Sequence, residues 1–362
     1  MPSLDLLLQA LSTVTDPNTG KDFVSGKCIK NLAVTGGDVS FDVEMAYPAK
    51  SQLAAFRASL TAAAKAVAGV ENVAINFSVK VASHAVQRGV QLLPNVKNII
   101  AVASGKGGVG KSTTAVNLAL ALSAEGATVG LLDADIYGPS VPMMMGVAGK
   151  PESLDGKNME PLENHGIQVM SIGLLVEPDQ AMIWRGPMAT QALDQLLRQT
   201  NWRDLDYLII DMPPGTGDIQ LTLSQRVPLT GAVIVTTPQD IALLDAKKGI
   251  KMFEKVGVPI LGIVENMAVH ICSQCGHAEH IFGQDGGKKM AADYNMDYLG
   301  ALPLDMQIRL QADGGKPTVV ADPDGAVAGL YTAIARKLAI AVAAKAKDFS
   351  AKFPTITISK DT

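Results

Sequence analysis

Short apolar runs recur along the chain after residue 97, and polar or glycine-rich segments separate them. Uninterrupted apolar runs of this length are typical of strands buried on both faces of a parallel sheet. Because longer segments with helical periodicity alternate with the runs, we predict an α/β fold, a mostly parallel sheet covered by helices. The predicted strands are residues 98–103, 127–132, 167–172, 207–210, 232–235 and 260–264.

The first 82 residues follow a different pattern. Residues 29–34 and 39–45 are typical of two strands around a Gly36-Gly37 turn. Helical patterns cover residues 3–12 and 51–67, and a third strand is predicted at 73–81. This order predicts a small α+β domain.

Four segments make up the predicted domain organisation. They are a small α+β domain at 1–82, a linker at 83–97 that packs on the larger domain, a large α/β domain at 98–346 and a C-terminal tail at 347–362. A terminal helix is predicted at 333–347.

A glycine-rich loop follows the strand at 98–103 directly and precedes a helical pattern. Glycines let successive backbone N–H groups point at phosphate oxygens, Lys111 can reach the β- and γ-phosphates, and the Ser112 hydroxyl can bind Mg²⁺. The large domain is therefore predicted to be a P-loop NTPase. The predicted nucleotide-binding residues of the loop are Gly105, Lys106, Gly107, Gly108, Val109, Gly110, Lys111, Ser112 and Thr113.

Acidic residues end two of the predicted strands. Asp133 and Asp135 follow one strand, and Asp211 follows another. Ligands of open α/β sheets bind at the carboxyl ends of strands, so these side chains are expected at the phosphates. We predict that Asp211 shares the Mg²⁺ shell with Ser112, that Asp135 orients the attacking water, and that Asp133 supports it.

Lys106 narrows the class of P-loop protein. A lysine at this position can reach the nucleotide of a neighbouring subunit, much as an arginine finger acts in trans. The segment Lys-Gly-Gly-Val-Gly-Lys-Ser-Thr resembles the deviant Walker A motif of the MinD/ParA and nitrogenase-iron-protein class of dimerising ATPases. The predicted catalytic residues are Lys106, Lys111, Asp133 and Asp135.

Further motifs resemble one branch of that class, the Mrp/ApbC family of iron–sulfur cluster carrier ATPases, over residues 97–345. In that family the Asn of Val-Glu-Asn-Met lies near the adenine, so the resemblance implies that Asn266 contacts the base. The matching motifs are Asp-Ala-Asp-Ile-Tyr-Gly-Pro-Ser at 133–140, Trp-Arg-Gly-Pro-Met at 184–188, Asp-Met-Pro-Pro-Gly-Thr-Gly-Asp at 211–218, Thr-Thr-Pro-Gln at 236–239 and Val-Glu-Asn-Met at 264–267.

Cys272 and Cys275 form a C-x-x-C pair, and the chain has three cysteines in all. A pair supplies two of the four thiolates that an iron–sulfur cluster takes, so a two-fold dimer would supply all four. Three alternatives stay open: a single-chain zinc site with His277 and His280, a redox pair, and a surface turn. The family resemblance favours a dimer-bridging [4Fe–4S] cluster. Cys28 belongs to no motif, and we expect its side chain to be a small buried hydrophobic group.

The predicted function is ATP-dependent carriage of an iron–sulfur cluster by a homodimer, with ATP hydrolysis gating transfer to apo-proteins and exchange with assembly scaffolds. The alternatives are a MinD/ParA-type partitioning or positioning ATPase and a nucleotide-binding scaffold without turnover. The N-terminal domain is similar to one in bacterial Mrp proteins, but residues 46–50 lack the cysteine that relatives often carry there. A docking or structural role is therefore expected for that domain.

Composition bears on the partners and the location. Net charge is −4, hydrophobic residues make up 48%, and no long basic run occurs, so nucleic acid is not an expected partner. The N-terminal segment has no basic region or cleavage site of a signal peptide. No apolar run approaches the ~20 residues that span a bilayer, so we expect no membrane partner and a cytoplasmic protein.

Overall fold

A computed structural model describes residues 2–84, 86–87, 90–176 and 186–349. In the N-terminal domain, β2 pairs with β1 in antiparallel and with β3 in parallel orientation. Alternate residues of β2 are buried, Phe41 and Val43 among them, and α1 and α2 contribute Leu7 and Leu60 to the same core. The elements are α1 (Leu4–Leu11), β1 (Ile29–Thr35), β2 (Asp38–Met45), α2 (Leu53–Lys65) and β3 (Asn72–Val79).

The large domain contains an eight-stranded sheet in the order β13-β10-β9-β4-β8-β5-β7-β6. Its pairs are parallel except β6 with β7, so the predicted mostly parallel α/β fold is confirmed. All six predicted strands are present, and the short β6 and β13 were not predicted. The strands are β4 (Val96–Ala103), β5 (Val129–Asp133), β6 (Leu162–Asn164), β7 (Ile167–Ser171), β8 (Leu205–Asp211), β9 (Gly231–Thr236), β10 (Ile260–Glu265) and β13 (Tyr298–Ala301), with a separate hairpin of β11 (His270–Ile271) and β12 (Ala278–Glu279).

Helices lie against this sheet. The central helix α3 follows the phosphate loop and is buried over most of its length, which explains its run of Ala, Val and Leu. The carboxyl ends of β4, β5, β8 and β10 therefore face the start of α3 and form the site described below. The helices are α3 (Lys111–Ala124), α4 (Val141–Met144), α5 (Gly186–Arg198), α6 (Asp218–Arg226), α7 (Asp240–Lys255), α8 (Gly286–Asp293), α9 (Met306–Asp313), α10 (Thr318–Ala321) and α11 (Ala326–Phe349).

The C-terminal helix α11 corrects two expectations. It begins seven residues before the predicted start at 333 and continues past the predicted boundary at 346. Its segment Ala326–Lys345 is long and apolar enough to cross a membrane by length and composition alone, whereas no such run was expected. Arg336 and Lys337 interrupt the run, yet its mean hydropathy stays at 1.5. Because Leu338 and Val342 are fully buried and α11 packs on α3 and β13, we assign it to the core.

The two domains are in contact. Buried residues of both belong to one continuous hydrophobic cluster. The Lys50 N–H donates to the Glu125 carbonyl oxygen (3.1 Å), and the Asn98 side chain donates to the Ala82 carbonyl oxygen (3.0 Å). In the predicted linker, Gln87 Nε2 donates to the Ser224 carbonyl oxygen (3.0 Å). The predicted division into segments remains a prediction, and residues 350–362 of the predicted tail lie outside the described part of the chain.

Candidate nucleotide site and cysteine hairpin

The phosphate loop connects β4 to α3, and two of its glycines have left-handed backbone. Gly108 and Gly110 both have φ of 80°, a conformation that side chains other than glycine rarely adopt. Gly105 is fixed by close packing instead: a Cβ there would lie 2.1 Å from the carbonyl carbon of Asp245 in α7. The loop conformation therefore requires glycine at these positions, and α3 begins immediately after it with Lys111.

Lys111 is the central side chain of the loop and is 6% exposed. Its Nζ lies 2.6 Å from Asp211 Oδ1 and 3.8 Å from Asp135 Oδ2, and it donates to Ser112 Oγ at 3.2 Å. The structure thus brings together four of the residues predicted for the phosphate and Mg²⁺ site.

Asp211 ends β8 and is fully buried. Burial raises the pKa of its carboxyl group, whereas the charge of Lys111 and hydrogen bonds from Lys111 and Ser112 act against this rise. Its second oxygen, Oδ2, is buried and has no hydrogen-bond partner among the described residues. Since buried polar atoms are almost always paired, this oxygen suits a cation. A carboxylate and a hydroxyl are ligands that Mg²⁺ prefers.

Asp133 and Asp135 have different environments although they are two residues apart. The Asp133 oxygens accept from the N–H groups of Asp135 and Val141 and from Ser171 Oγ, each at 3.1 Å. Burial, with the charge of Asp211, raises the pKa of Asp133 to about 7. Asp135 is only partly buried, and burial raises its pKa while Lys111 lowers it. Asp133 therefore holds the segment from Asp135 to Val141 in place, and Asp135 faces Lys111.

Lys106 is half-buried, and its carbonyl oxygen accepts from Ser104 Oγ at 2.8 Å. Its ammonium group takes part in no ion pair among the described residues, in contrast to Lys111. The predicted role of Lys106 concerns a second subunit and stays a prediction.

Asn266 follows the end of β10 and contacts the phosphate loop. Its Nδ2 donates to the Val109 carbonyl oxygen at 2.9 Å, and a Cβ on Gly110 would lie 2.1 Å from Nδ2. The predicted contact with adenine stays a prediction.

Glu265, the residue before Asn266, was not predicted from the sequence to have a role in the site. Glu265 is 2% exposed, and its carboxylate accepts from the N–H groups of Gly287 and Lys288 (3.3 Å to the latter) at the start of α8. A glutamate directly after the apolar run at 260–264 could have marked the residue as unusual, but its contact with α8 leaves no local signal in the sequence.

The cysteine pair occupies the tip of the β11–β12 hairpin, in which His270 pairs with Glu279 and Ile271 with Ala278. The tip is closed by hydrogen bonds from the Cys272 N–H to the His277 carbonyl oxygen and from the Gly276 N–H to the Cys272 carbonyl oxygen (both 2.9 Å). Cys272 is half-buried, Cys275 is exposed, and both are free thiols. The N–H groups of Cys275 and Gln274 lower the pKa of the Cys272 thiol.

The histidines near this pair have other partners. His280 Nδ1 bonds the Ala268 carbonyl oxygen (2.7 Å), and His277 Nε2 lies 3.9 Å from Glu279 Oε1. Within the described ranges, no three His, Cys, Asp or Glu side chains are placed to hold one metal ion. The geometry of one chain therefore offers two thiols and does not favour the Cys₂His₂ zinc alternative. Cys28 is half-buried and packs against the N-terminal core.

Family models match both domains. Residues 95–339 match the model of the NUBPL iron-transfer P-loop NTPase family, which covers well over half of the chain. The chain belongs to this family. Residues 5–77 match a second model, described as an iron–sulfur cluster assembly protein. The predicted family resemblance is thereby confirmed.

Similar proteins carry corresponding names. A Pseudomonas fragi protein named iron–sulfur cluster carrier protein is 60% identical over 269 residues, which cover 74% of this chain and 94% of that protein. A Synechocystis protein of the same name is 46% identical over 344 residues, 94% of this chain and 98% of that protein. Among solved structures, a nucleotide-binding protein from Archaeoglobus fulgidus in complex with ADP is 37% identical, with a TM-score of 0.56, and covers 64% of this chain and 90% of its own.

Proposed function

We propose that this protein is an ATP-dependent iron–sulfur cluster carrier that binds a cluster between two copies of the chain and transfers it to apo-proteins. The observation that carries the proposal is the pair of free thiols, Cys272 and Cys275, on a hairpin next to the residue that contacts the phosphate loop. The names of the relatives give independent support.

The number of ligands supports a dimer. Each chain offers two thiols within one turn, and a [4Fe–4S] or [2Fe–2S] cluster takes four. Two hairpins that meet at a two-fold axis would provide all of them. The exposure of Cys275 suits this arrangement, because a ligand shared between chains must be accessible in the single chain.

Each polar side chain of the proposed nucleotide site has one proposed role. Lys111 binds the phosphates in its own chain, and Lys106 those of the partner. Ser112 and Asp211 hold Mg²⁺, which supplies charge neutralisation at the β- and γ-phosphates when bound. Asp135 orients the attacking water and Asp133 supports it. Asn266 contacts the adenine.

ATP hydrolysis is proposed to control cluster transfer through the segments that follow β5 and β8. Asp133 fixes the start of α4 through Val141, and the Gly215 N–H donates to the Ser104 carbonyl oxygen (3.0 Å) beside the phosphate loop. Loss of the γ-phosphate removes a contact that these segments share. The dimer geometry then changes, and with it the exposure of the cluster.

The test is anaerobic reconstitution with iron and sulfide. The wild-type protein should develop iron–sulfur absorption at about one four-iron cluster per dimer. Cys272→Ala and Cys275→Ala should lose the cluster and keep nucleotide binding, whereas the control Cys28→Ala should keep both. Transfer to an apo-protein would establish carriage. Stoichiometric iron and sulfide in the double variant, or one zinc ion per wild-type monomer, would contradict the proposal and favour the partitioning-type ATPase.

Apo iron–sulfur proteins and cluster assembly scaffolds are the proposed partners, and the cytoplasm is the proposed location. A reducing compartment keeps thiols such as Cys272 and Cys275 available for a cluster.

A further inference from the structure

The end of β10 lies between the two parts of the proposed function. Asn266 contacts the phosphate loop through the Val109 carbonyl oxygen (2.9 Å). The preceding residue, Glu265, contacts the first turn of α8 through Gly287 and Lys288. Two adjacent residues of one strand end thus connect the nucleotide loop to the helix that follows the cysteine hairpin.

The hairpin is attached to the same region at its base. His280 Nδ1 bonds the Ala268 carbonyl oxygen (2.7 Å), and His270 Nδ1 bonds the Leu304 carbonyl oxygen (3.0 Å). Leu304 in turn donates its N–H to the Val269 carbonyl oxygen (2.8 Å). The chain enters the hairpin four residues after Asn266 and leaves it eight residues before Gly287, and the histidine hydrogen bonds hold both of its ends near the end of β10.

The contact of Glu265 with α8 differs from an ordinary helix cap. A cap is normally supplied by the residue that precedes the helix, but the side chain of Asp285 at that position makes no capping hydrogen bond. The acceptor comes instead from a neighbouring strand, 22 residues away. The fit is close, because a Cβ on Gly287 would lie 2.8 Å from Glu265 Oε2.

We infer that Glu265 is a positioning residue that couples the position of the segment after the cysteine hairpin to the conformation of the phosphate loop. Asn266 moves with Val109 when a nucleotide occupies the loop, Glu265 moves with Asn266, and α8 moves with Glu265. The hairpin tip, held at both ends, then changes the accessibility of Cys272 and Cys275. This inference rests on the proposed function, because it assumes that the state of the nucleotide affects the cysteine pair.

The test compares thiol reactivity in reduced, metal-free protein with and without a non-hydrolysable ATP analogue. Alkylation rates of Cys272 and Cys275 with iodoacetamide are measured separately by mass spectrometry. In the wild-type protein we expect the nucleotide to change these rates about fivefold or more, the lower end of ordinary coupling between sites. In Glu265→Ala we expect the change to fall below about twofold, with nucleotide affinity retained.

Two further variants separate positioning from stability. Glu265→Gln keeps an oxygen that accepts from both N–H groups, so it should restore most of the response. Gly287→Ala keeps the glutamate at position 265 and improves helix propensity, but its Cβ displaces the Glu265 carboxylate from the start of α8. This variant should therefore lose the response without loss of folding. Gly329→Ala in α11 is the matched control, because a Cβ there meets no atom within 4 Å, and its response should equal that of the wild type.

The outcomes distinguish the two hypotheses. A nucleotide-dependent change in the wild type that persists in Glu265→Ala and Gly287→Ala would overturn the positioning role and leave the proposed function intact. Equal rates with and without nucleotide in the wild type would overturn the coupling itself, and the reconstitution experiment would then decide on the cluster independently.

Discussion

The phosphate loop and the cysteine hairpin are both short and glycine-containing, but packing fixes them to different degrees. Gly105 and Gly110 of the loop have neighbouring atoms 2.1 Å from the place of a Cβ, whereas Gly276 of the hairpin, with φ of 72°, has none within 4 Å. Lys111 is buried, and Cys275 is exposed. The conformation of the loop therefore depends on close packing against its neighbours. The hairpin depends instead on two cysteine side chains that remain accessible.

The strongest test of this contrast is Lys111→Ala. It removes the buried ammonium group that we propose binds the phosphates, a contact worth about 3 kcal/mol, so ATP affinity should fall by about 100-fold or more. Equilibrium nucleotide binding measures the effect, and circular dichroism checks that the variant with unpaired Asp211 is folded. Lys106→Ala, with a more accessible ammonium group, is the control and should bind nearly normally. Wild-type affinity in Lys111→Ala would contradict the assignment of the loop.

Hydrolysis should separate residues that act within one chain from those that act across the dimer. Asp135→Ala and Lys106→Ala should each bind ATP but hydrolyse it about 100-fold more slowly or worse, because the first variant lacks the proposed water-orienting carboxylate and the second lacks the charge proposed to act in trans. Phosphate release is the measurement.

Mixing the two variants gives the decisive control. Half of the dimers in an equimolar mixture contain one chain of each variant, and each such dimer has one intact site of two, so about one quarter of wild-type activity should return. If verified mixed dimers show no recovery, Lys106 acts only in its own chain.

Matched glycine substitutions compare the two segments directly. Gly105→Ala places a Cβ against the backbone of α7 and should lower the free energy of unfolding by about 3 kcal/mol. Gly276→Ala meets open space and pays only for left-handed backbone, about 1 kcal/mol. Urea denaturation at equal protein concentration gives both values. Equal decreases in the free energy of unfolding for the two variants would show that the difference in packing does not affect stability.

The smallest expected effect concerns the hairpin alone. Since backbone N–H groups lower the pKa of Cys272, its alkylation by iodoacetamide should reach half of its maximal rate at a lower pH in the folded protein than in urea. The thiolate is favoured in the folded state, so folding gains stability as pH rises through the lowered pKa. Identical pH profiles in both states would argue against these hydrogen bonds.

The parts of the fold that the sequence predicted well are those with local signals. The six long strands, the phosphate loop and α3 follow from apolar runs and glycine spacing. The strands β6 and β13, with three and four residues, are too short for a periodic pattern. The apolar span of α11 was not predicted because Arg336, whose Nε lies 3.6 Å from the buried Glu125 carboxylate, interrupts the run.

The residues of the candidate site also divide into those with local sequence signals and those without. Lys111, Ser112, Asp135 and Asp211 were expected together because parallel strands end at one edge, and the structure places them together. The role of Glu265 depends on Gly287, which is separated from it by the whole cysteine hairpin. No local pattern encodes a contact between segments that meet only through tertiary folding.

The ion pair between Lys111 and Asp211 gives each of these two buried charges a counter-ion from the chain itself. In the proposed function, a phosphate that binds the Lys111 ammonium group would leave Asp211 as a buried negative charge in a region of low dielectric. The unpaired Asp211 carboxylate would then require another cation to compensate its charge. We therefore expect the proposed site to bind a complex of ATP with a divalent cation more tightly than it binds free ATP, because Asp211 repels the uncompensated phosphate charge.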